Sequence, residues 1–376
     1  AVRPARQPVR ERRHVPELRS LLGPVADLSE PGTMSRELSP REAADRFLSR
    51  RQQRQADETV RSYAHRLSHF VEWCEENDIE TMRDIDGWEI DDYRHHRESD
   101  DVSPSTVKSA MVSIKQVFEF CERIEVVDEE LSKKVEIPKL TKDEETSDEQ
   151  LPADRARKHL NYFRDSDQWF GTAWHASMEV LWHTACRLGG LRGLDLGDYD
   201  AEEGTLRFYH RPETETPLKN DSEGERIVSV NDDVVAALDM YVARERPDKR
   251  DKYGRDPLFS TRQGRPSRTT IRSWCYQSTQ PCLYTGCPHS RERHSCEWTS
   301  RAESGKCPSS RSPHAIRTGA ITWLLNETDG DIEYVARRVN AKPATIRRYY
   351  DQATVVEEFE ELQQQHTDLD INNEPA

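Results

Sequence analysis

Four residues in a fixed order constrain this chain more than any other feature. A His-x-x-Arg motif at His314 and Arg317 lies between an upstream Arg187 and a downstream pair, Tyr349 and Tyr350. A lone His-x-x-Arg motif is common by chance, but the ordered set, spread over about 160 residues, is not. Because residues so far apart can act together only in one folded domain, the set predicts a domain that gathers them.

These residue types suit chemistry at a phosphodiester, which is negatively charged and a poor electrophile. A hydroxyl nucleophile can attack it if cations hold the non-bridging oxygens as charge accumulates. Arginine fits because its guanidinium is permanently charged and binds two oxygens at once. Ser312 and Pro313 predict the N-cap and first turn of a helix. His314 and Arg317 would then share one face near the positive end of that helix.

Arg187, His314, Arg317 and a downstream tyrosine, in this order, resemble the catalytic set of the tyrosine recombinase (phage integrase) family. The resemblance covers about residues 40 to 355. It implies a mainly α fold with a small antiparallel β-sheet, in which a helical core-binding domain precedes a catalytic domain. It also implies a site-specific recombinase that cuts and rejoins double-stranded DNA through a 3′-phosphotyrosine. Such an enzyme acts as a homo-tetramer and needs neither ATP nor a catalytic metal.

The resemblance also assigns roles to individual residues. Arg187, His314 and Arg317 would bind the scissile phosphate. Lys219, in the turn between two predicted strands, matches the lysine that protonates the leaving 5′ oxygen.

Three positions leave the assignment open or depart from the family pattern. The nucleophile is Tyr350 by the register of the preceding apolar residues, or Tyr349 by its spacing of nine residues from Asn340. Asn340 stands where the family has a second His or a Trp, and it can still donate a hydrogen bond to a phosphate oxygen. Gly190 stands where the family has an acid that supports the fold.

Composition and periodicity divide the chain into five segments. They are a flexible arm at 1–38, a helical, SAM-like core-binding domain at 39–127, an acidic linker at 128–150, the catalytic domain at 151–352, and a C-terminal helix and tail at 353–376. The arm is rich in Pro and Arg and is either an unstructured leader or a DNA-contacting arm. The C-terminal helix is either exchanged between protomers or packed on its own domain.

A Cys-rich insertion at 281–311 lies just before the His-x-x-Arg motif. It holds half of the chain's eight cysteines, namely Cys282, Cys287, Cys296 and Cys307. Clustered cysteines in an intracellular enzyme indicate metal binding rather than disulfides, and four thiolates suit a tetrahedral, structural zinc. His289 and His294 are alternative ligands. The other interpretation is a loop of free, redox-sensitive thiols.

The formal net charge of −15 is unusual for a DNA-binding protein. Only 12 of the 55 basic residues are Lys, and 43 are Arg. This composition indicates a salt-rich, halophilic cytosol, or else a generic acidic protein kept soluble by its charge. In high salt DNA binding gains little from counterion release, so local Arg clusters and shape would matter more. The absence of a long apolar run or signal-peptide pattern predicts a cytoplasmic protein without a membrane segment.

Two other functions fit parts of the sequence. Gly190 and the missing second His or Trp favour a catalytically degenerate DNA-binding protein with a structural zinc loop. A type IB topoisomerase-like enzyme would share the chemistry but cut with little sequence preference.

Overall fold

The structure is a computed structural model that describes residues 37–347, apart from 56, 101, 142–143 and 145–148. Residues 1–36 of the predicted arm lie outside these ranges, as do Tyr349, Tyr350 and the predicted C-terminal helix and tail. The described residues are mainly helical with one small antiparallel sheet, as predicted. None of their helices is long and apolar enough to cross a membrane. The chain divides into two compact units, residues 1–148 and 149–376.

Four α-helices form the first unit over its described residues. They are α1 (Pro40–Gln52), α2 (Asp57–Glu76), α3 (Gly87–Ser99) and α4 (Pro104–Arg123). Helix α1 starts with a capping box formed by Ser39 and Glu42. The hydroxyl of Ser103 caps α4 in a similar way. Phe70 of α2 and Phe118 of α4 are almost fully buried and meet in the core.

The predicted linker at 128–150 is too long at both ends. Leu131 and Val135 are buried in the core of the first unit, because the chain folds back against α4. At the other end, the carbonyl of Gln150 accepts a hydrogen bond from Arg311 of the second unit at 3.0 Å. Apolar burial and one backbone contact therefore shorten the connection between the units.

The second unit combines seven helices and three strands among its described residues. The helices are α5 (Ala153–Arg164), α6 (Ala173–Thr184), α7 (Leu188–Gly193), α8 (Asp232–Arg244), α9 (Arg268–Ser278), α10 (Pro313–Glu327) and α11 (Ile332–Val339). The strands are β1 (Tyr199–Asp200), β2 (Thr205–Phe208) and β3 (Arg226–Ser229), paired antiparallel in the order β1-β2-β3. Helix α6 packs against α8, α9 and α10 and is buried on nearly all sides, as a central core helix should be.

A close backbone contact fixes the position of α10. The amide of Leu151 donates to the carbonyl of Ala315 at 3.0 Å. A Cβ atom on Gly319 would lie 1.9 Å from the carbonyl oxygen of Leu151, so only glycine allows this approach. As predicted, Ser312 caps the helix by accepting from the amide of Ala315 at 3.1 Å, and Pro313 lies in the first turn. The helix that carries the His-x-x-Arg motif is therefore held at its start and along one side.

Candidate active site

Arg187 reaches the end of α11 from the end of α6. Helix α6 stops at Ala185, which has a left-handed backbone with φ of 45°. The chain then becomes extended at Arg187 before α7 begins. From there the Nη1 atom of Arg187 donates to the carbonyl oxygen of Asn340 at 2.5 Å.

Arg317 connects the same two helix ends from α10. Its side chain is buried, and the whole residue is only 4% exposed. Its Nη1 atom donates to the carbonyl of Ala185 and, at 2.9 Å, to the carbonyl of Val339. The two predicted phosphate-binding arginines therefore meet at the C-terminal end of α11.

A third arginine, Arg226 of β3, completes this arrangement and was not predicted. Its Nε donates to the carbonyl of Arg338 at 2.9 Å, and its guanidinium lies 4.2 Å from the ring centre of Phe208. Burial lowers the pKa of Arg226, and the charges of Arg187 and Arg338 act in the same direction. A guanidinium nevertheless stays charged at neutral pH.

Three successive carbonyls, those of Arg338, Val339 and Asn340, thus accept from three different arginines. We call these three groups the carbonyl cluster. The last carbonyls of a helix lack partners within the helix and carry the negative end of its dipole. Guanidinium donors satisfy them while remaining positively charged.

His314 lies one turn before Arg317 on α10 and is partly open to solvent. Loss of hydration lowers the pKa of His314 below 6.5, and the positive charges of Arg317 and Arg187 lower it further. The ring is therefore mostly neutral at pH 7. A neutral imidazole can donate one N–H to a phosphate oxygen or accept a proton from a hydroxyl.

Lys219 lies in the turn between β2 and β3, with its side chain exposed. The carbonyl of Lys219 accepts from Nδ2 of Asn340 at 2.9 Å. The Oδ1 atom of Asn340 accepts from Nδ2 of Asn220, also at 2.9 Å. The amide of Asn340 therefore contacts the turn that carries Lys219, and its predicted bond to a phosphate oxygen stays a prediction.

Gly190, where the family pattern has an acid, packs against an aromatic ring. A Cβ atom at this position would lie 3.4 Å from Cδ1 of Phe208. The same ring carries the guanidinium of Arg226, so apolar and cation–π contacts occupy this part of the site. The neighbourhood of Arg187 thus gains a cation where the family pattern supplies an anion.

The four cysteines of the insertion are all free thiols, and Cys307 is the most buried of them. The Nη1 atom of Arg293 donates to Sγ of Cys282 at 3.0 Å, and the ring of His289 contacts the hydroxyl of Ser309. Within the described ranges, no three His, Cys, Asp or Glu side chains are grouped to hold a metal.

Comparisons with known proteins agree with this fold. The family described as "Phage integrase, N-terminal SAM-like domain" matches residues 45–124. Tyrosine recombinase XerD of Halalkalibacterium halodurans is 25% identical over 212 residues, which are 56% of this chain and 66% of that protein, slightly under two thirds of its length.

Two solved structures are also similar. The N-terminal domain of a phage integrase/site-specific recombinase from Haloarcula marismortui is 49% identical and aligns over 27% of this chain and 98% of that one, with a TM-score of 0.27. The Tn1549 transposon integrase, solved with a circular intermediate DNA, has a TM-score of 0.60 at 13% identity and covers 84% of this chain and 98% of that one.

The fold of the described residues, a helical unit followed by a unit of helices and a small sheet, is thus similar to that of a solved integrase. Residues 45–124 match the N-terminal SAM-like domain of phage integrases, and the chain is similar in sequence to a tyrosine recombinase.

Proposed function

We propose that this chain is a site-specific DNA recombinase, or integrase, that works through a 3′-phosphotyrosine intermediate. The observation that carries the proposal is the meeting of Arg187 and Arg317 at the carbonyl cluster. Tyr349 and Tyr350 follow Asn340 by only nine and ten residues. The two phosphate-binding cations are therefore anchored next to the segment that leads to the nucleophile.

The reaction begins with a double-stranded DNA whose scissile phosphate binds Arg187 and Arg317. The hydroxyl of Tyr350, or of Tyr349, attacks phosphorus and gives up its proton to a base, for which neutral His314 is suited. The bond from phosphorus to the 5′ oxygen breaks, and Lys219 protonates that oxygen. The two arginines stabilise the charge that develops on the non-bridging oxygens. Attack of another 5′ hydroxyl on the phosphotyrosine rejoins the DNA and restores the tyrosine.

Covalent capture tests this proposal without knowledge of the target. Wild-type protein would be mixed, at low and at high salt, with nicked duplexes that contain a random segment. Adducts that survive denaturation would be isolated and their DNA sequenced. We expect one enriched sequence and loss of the adduct in Tyr350→Phe.

Each alternative has its own outcome in this experiment. Loss only in Tyr349→Phe would assign the nucleophile to Tyr349. Adducts without sequence preference would point to a type IB topoisomerase-like enzyme. Tight DNA binding without any adduct would point to a catalytically degenerate DNA-binding protein.

The Cys-rich insertion is proposed to hold one structural zinc through Cys282, Cys287, Cys296 and Cys307. Four thiols match the donor set of a closed zinc site, and the insertion lies between α9 and α10. Zinc would stabilise this segment and so help to fix the start of α10. Metal analysis should find about one zinc per chain, and Cys296→Ser should lower both zinc content and thermal stability. Zinc well below one per chain, with Cys296→Ser as stable as wild type, would rule this out.

Assembly and setting complete the proposal. We expect a homo-tetramer on DNA, encoded by a mobile element of a halophilic organism. The net charge of −15 supports the halophilic setting. Sedimentation of the protein with its captured duplex should give a complex of four chains, and activity should rise with KCl. A complex of one or two chains, or inactivation by KCl, would contradict these expectations.

A further inference from the structure

One side chain, Asn340, contacts the two parts of the site that the proposed reaction must coordinate. Its Nδ2 donates to the carbonyl of Lys219, and its Oδ1 accepts from Asn220, both at 2.9 Å. Its own carbonyl accepts from Arg187 at 2.5 Å. We call the two side-chain hydrogen bonds the amide latch. The latch joins the turn of Lys219 to the end of α11, 120 residues further along the chain.

The backbone at residue 340 suits an asparagine. Asn340 ends α11 with a left-handed conformation, φ 52° and ψ 64°. Asparagine and glycine adopt this conformation most readily, and a Trp would be strained there. The left-handed turn also directs the amide toward Lys219 rather than leaving it in solvent. The departure from the family's usual residue therefore has a structural reason.

Gly224 makes room for the latch on the other side. A Cβ atom at this position would lie 2.5 Å from Nδ2 of Asn340 and 2.7 Å from the carbonyl oxygen of Lys219. Asn220 and Asp221 have φ of 74° and 52°, so the turn itself has two left-handed residues. A turn of this kind needs outside contacts to keep one conformation, and the latch supplies two of them.

We infer that Asn340 is a positioning residue that holds the turn of the general acid, Lys219, against the end of α11 where Arg187 binds. The inference rests on the proposed function, because it assumes that Lys219 protonates the leaving oxygen. While Asn340 holds its place at the end of α11, the turn presents Lys219 to the leaving group. Without the amide of Asn340 the turn loses both contacts, and Lys219 would no longer be held where it can protonate the leaving oxygen.

Hydrogen exchange on the full, DNA-free chain tests the latch itself. Asn340→Gly keeps the left-handed backbone and removes only the amide. We expect amides at 218–225 to exchange about five- to tenfold faster than in wild type. Ser222→Ala is the matched control, since Ser222 is exposed in the same turn and its side chain makes no hydrogen bond to a described residue. Unchanged exchange in Asn340→Gly would overturn the latch.

A sulfur-substituted DNA tests the coupling to the acid. The duplex sequence identified by covalent capture would be synthesised with sulfur in place of the bridging 5′ oxygen at the cleaved phosphate. A thiolate leaves without needing a proton. On ordinary DNA, Lys219→Ala and Asn340→Gly should form adducts about 10²-fold more slowly than wild type. On sulfur-substituted DNA both should recover to within a few-fold of wild type. Ser222→Ala should match wild type on both substrates.

The outcomes separate this inference from the proposed function. Recovery of Lys219→Ala but not of Asn340→Gly would mean that Asn340 acts at the phosphate or through the fold, and the inference would fail alone. If the rate of neither Lys219→Ala nor Asn340→Gly recovered on sulfur-substituted DNA, Lys219 would not be the acid. The inference that Asn340 positions the acid would then fail as well. If wild type formed no adduct at all, the proposed function and the coupling would both fail, while hydrogen exchange would still decide whether the latch exists.

Discussion

Two clusters in the second unit hold arginines in opposite ways. At the carbonyl cluster, Arg187, Arg226 and Arg317 donate to neutral backbone oxygens. The other cluster, which we call the aspartate cluster, lies around Asp195 and Asp251 in the connections that follow α7 and α8. Its arginines donate to carboxylates.

Ion pairs dominate the aspartate cluster. Asp195 pairs with Arg255 at 2.8 Å and with Arg265 at 2.5 Å, and Arg265 also pairs with Asp251 at 2.8 Å. Burial opposes ionisation of Asp251, but hydrogen bonds from Arg265 and from two backbone amides outweigh it and lower the pKa of Asp251. The charges of Arg255 and Arg265 are thus balanced by adjacent carboxylates.

If the carbonyl cluster binds a phosphate as proposed, this difference explains how a chain with a net charge of −15 can do so. A carboxylate partner cancels the charge of an arginine, whereas a carbonyl only orients it. Both solutions fix the side chain. Pairing with a carboxylate contributes to stability, whereas a hydrogen bond to a carbonyl leaves the arginine with a positive charge that a ligand can use. Substitutions in the aspartate cluster should therefore lower mainly the free energy of unfolding. Substitutions in the carbonyl cluster should lower mainly the rate of adduct formation.

The largest effect on stability is expected from Arg265→Ala. It leaves buried Asp251 and part of Asp195 without a cation, so the free energy of unfolding should fall by roughly 3–5 kcal/mol. Urea unfolding followed by circular dichroism measures this change. Arg262→Ala is the control, since Arg262 is exposed and makes no ion pair with a described residue.

Acid should remove most of that difference. The pKa of Asp251 is lowered in the folded state, so its pairing stabilises the fold above the usual pKa of 3.8 and is lost as pH falls below it. The gap between wild type and Arg265→Ala should therefore narrow below about pH 3.8. If the difference in free energy of unfolding stayed constant in acid, the loss of stability in Arg265→Ala would come from packing and not from charge.

Arg187→Lys should do the reverse of Arg265→Ala: it should slow adduct formation strongly and change stability little. It keeps the charge but loses the fork that binds two oxygens, so the rate of adduct formation should fall by about 10²–10³. The free energy of unfolding should fall by less than in Arg265→Ala, because the charge is kept and the described hydrogen bond of Arg187 ends on a neutral carbonyl rather than on a buried carboxylate. A loss of stability as large as that of Arg265→Ala would end the distinction between the two clusters.

The smallest expected effect is a shift in the pH dependence of the adduct-formation rate, which we assign to His314. The lowered pKa keeps this ring neutral to a lower pH, so the acid limb of the adduct-formation rate should lie below 6.5. Arg187→Gln removes one of the nearby charges and should move the limb upward, toward 6.5. Arg262→Ala should leave it in place. A wild-type limb above 6.5 would show that His314 does not set the profile.

Local signals in the sequence predicted the helix starts well. Ser312 caps a helix as expected, and Ser39, Ser103 and Asn231 do the same, because capping depends on residues within three positions of each other. The turn of Lys219 lies between two strands, as predicted. The first arginine and the His-x-x-Arg motif were recognisable because their chemistry and order are specific.

Long-range contacts had no such signal. The bond between Asn340 and Lys219 depends on a left-handed helix end and on the absence of a side chain at Gly224. Arg226 looked like any strand arginine, since nothing local marks it as a donor to Arg338. The linker was extended too far because its charged residues hide the two apolar anchors at 131 and 135.

The contact between Gly319 and Leu151 also determines where this chain can be divided. A fragment that begins at Pro152 would lack the amide that donates to Ala315, and it would leave an open groove along Gly319. A fragment that begins before Gln150 would keep both that contact and the carbonyl that Arg311 binds. The practical boundary for expressing, fusing or permuting the second unit is thus set by one glycine more than 160 residues downstream of it.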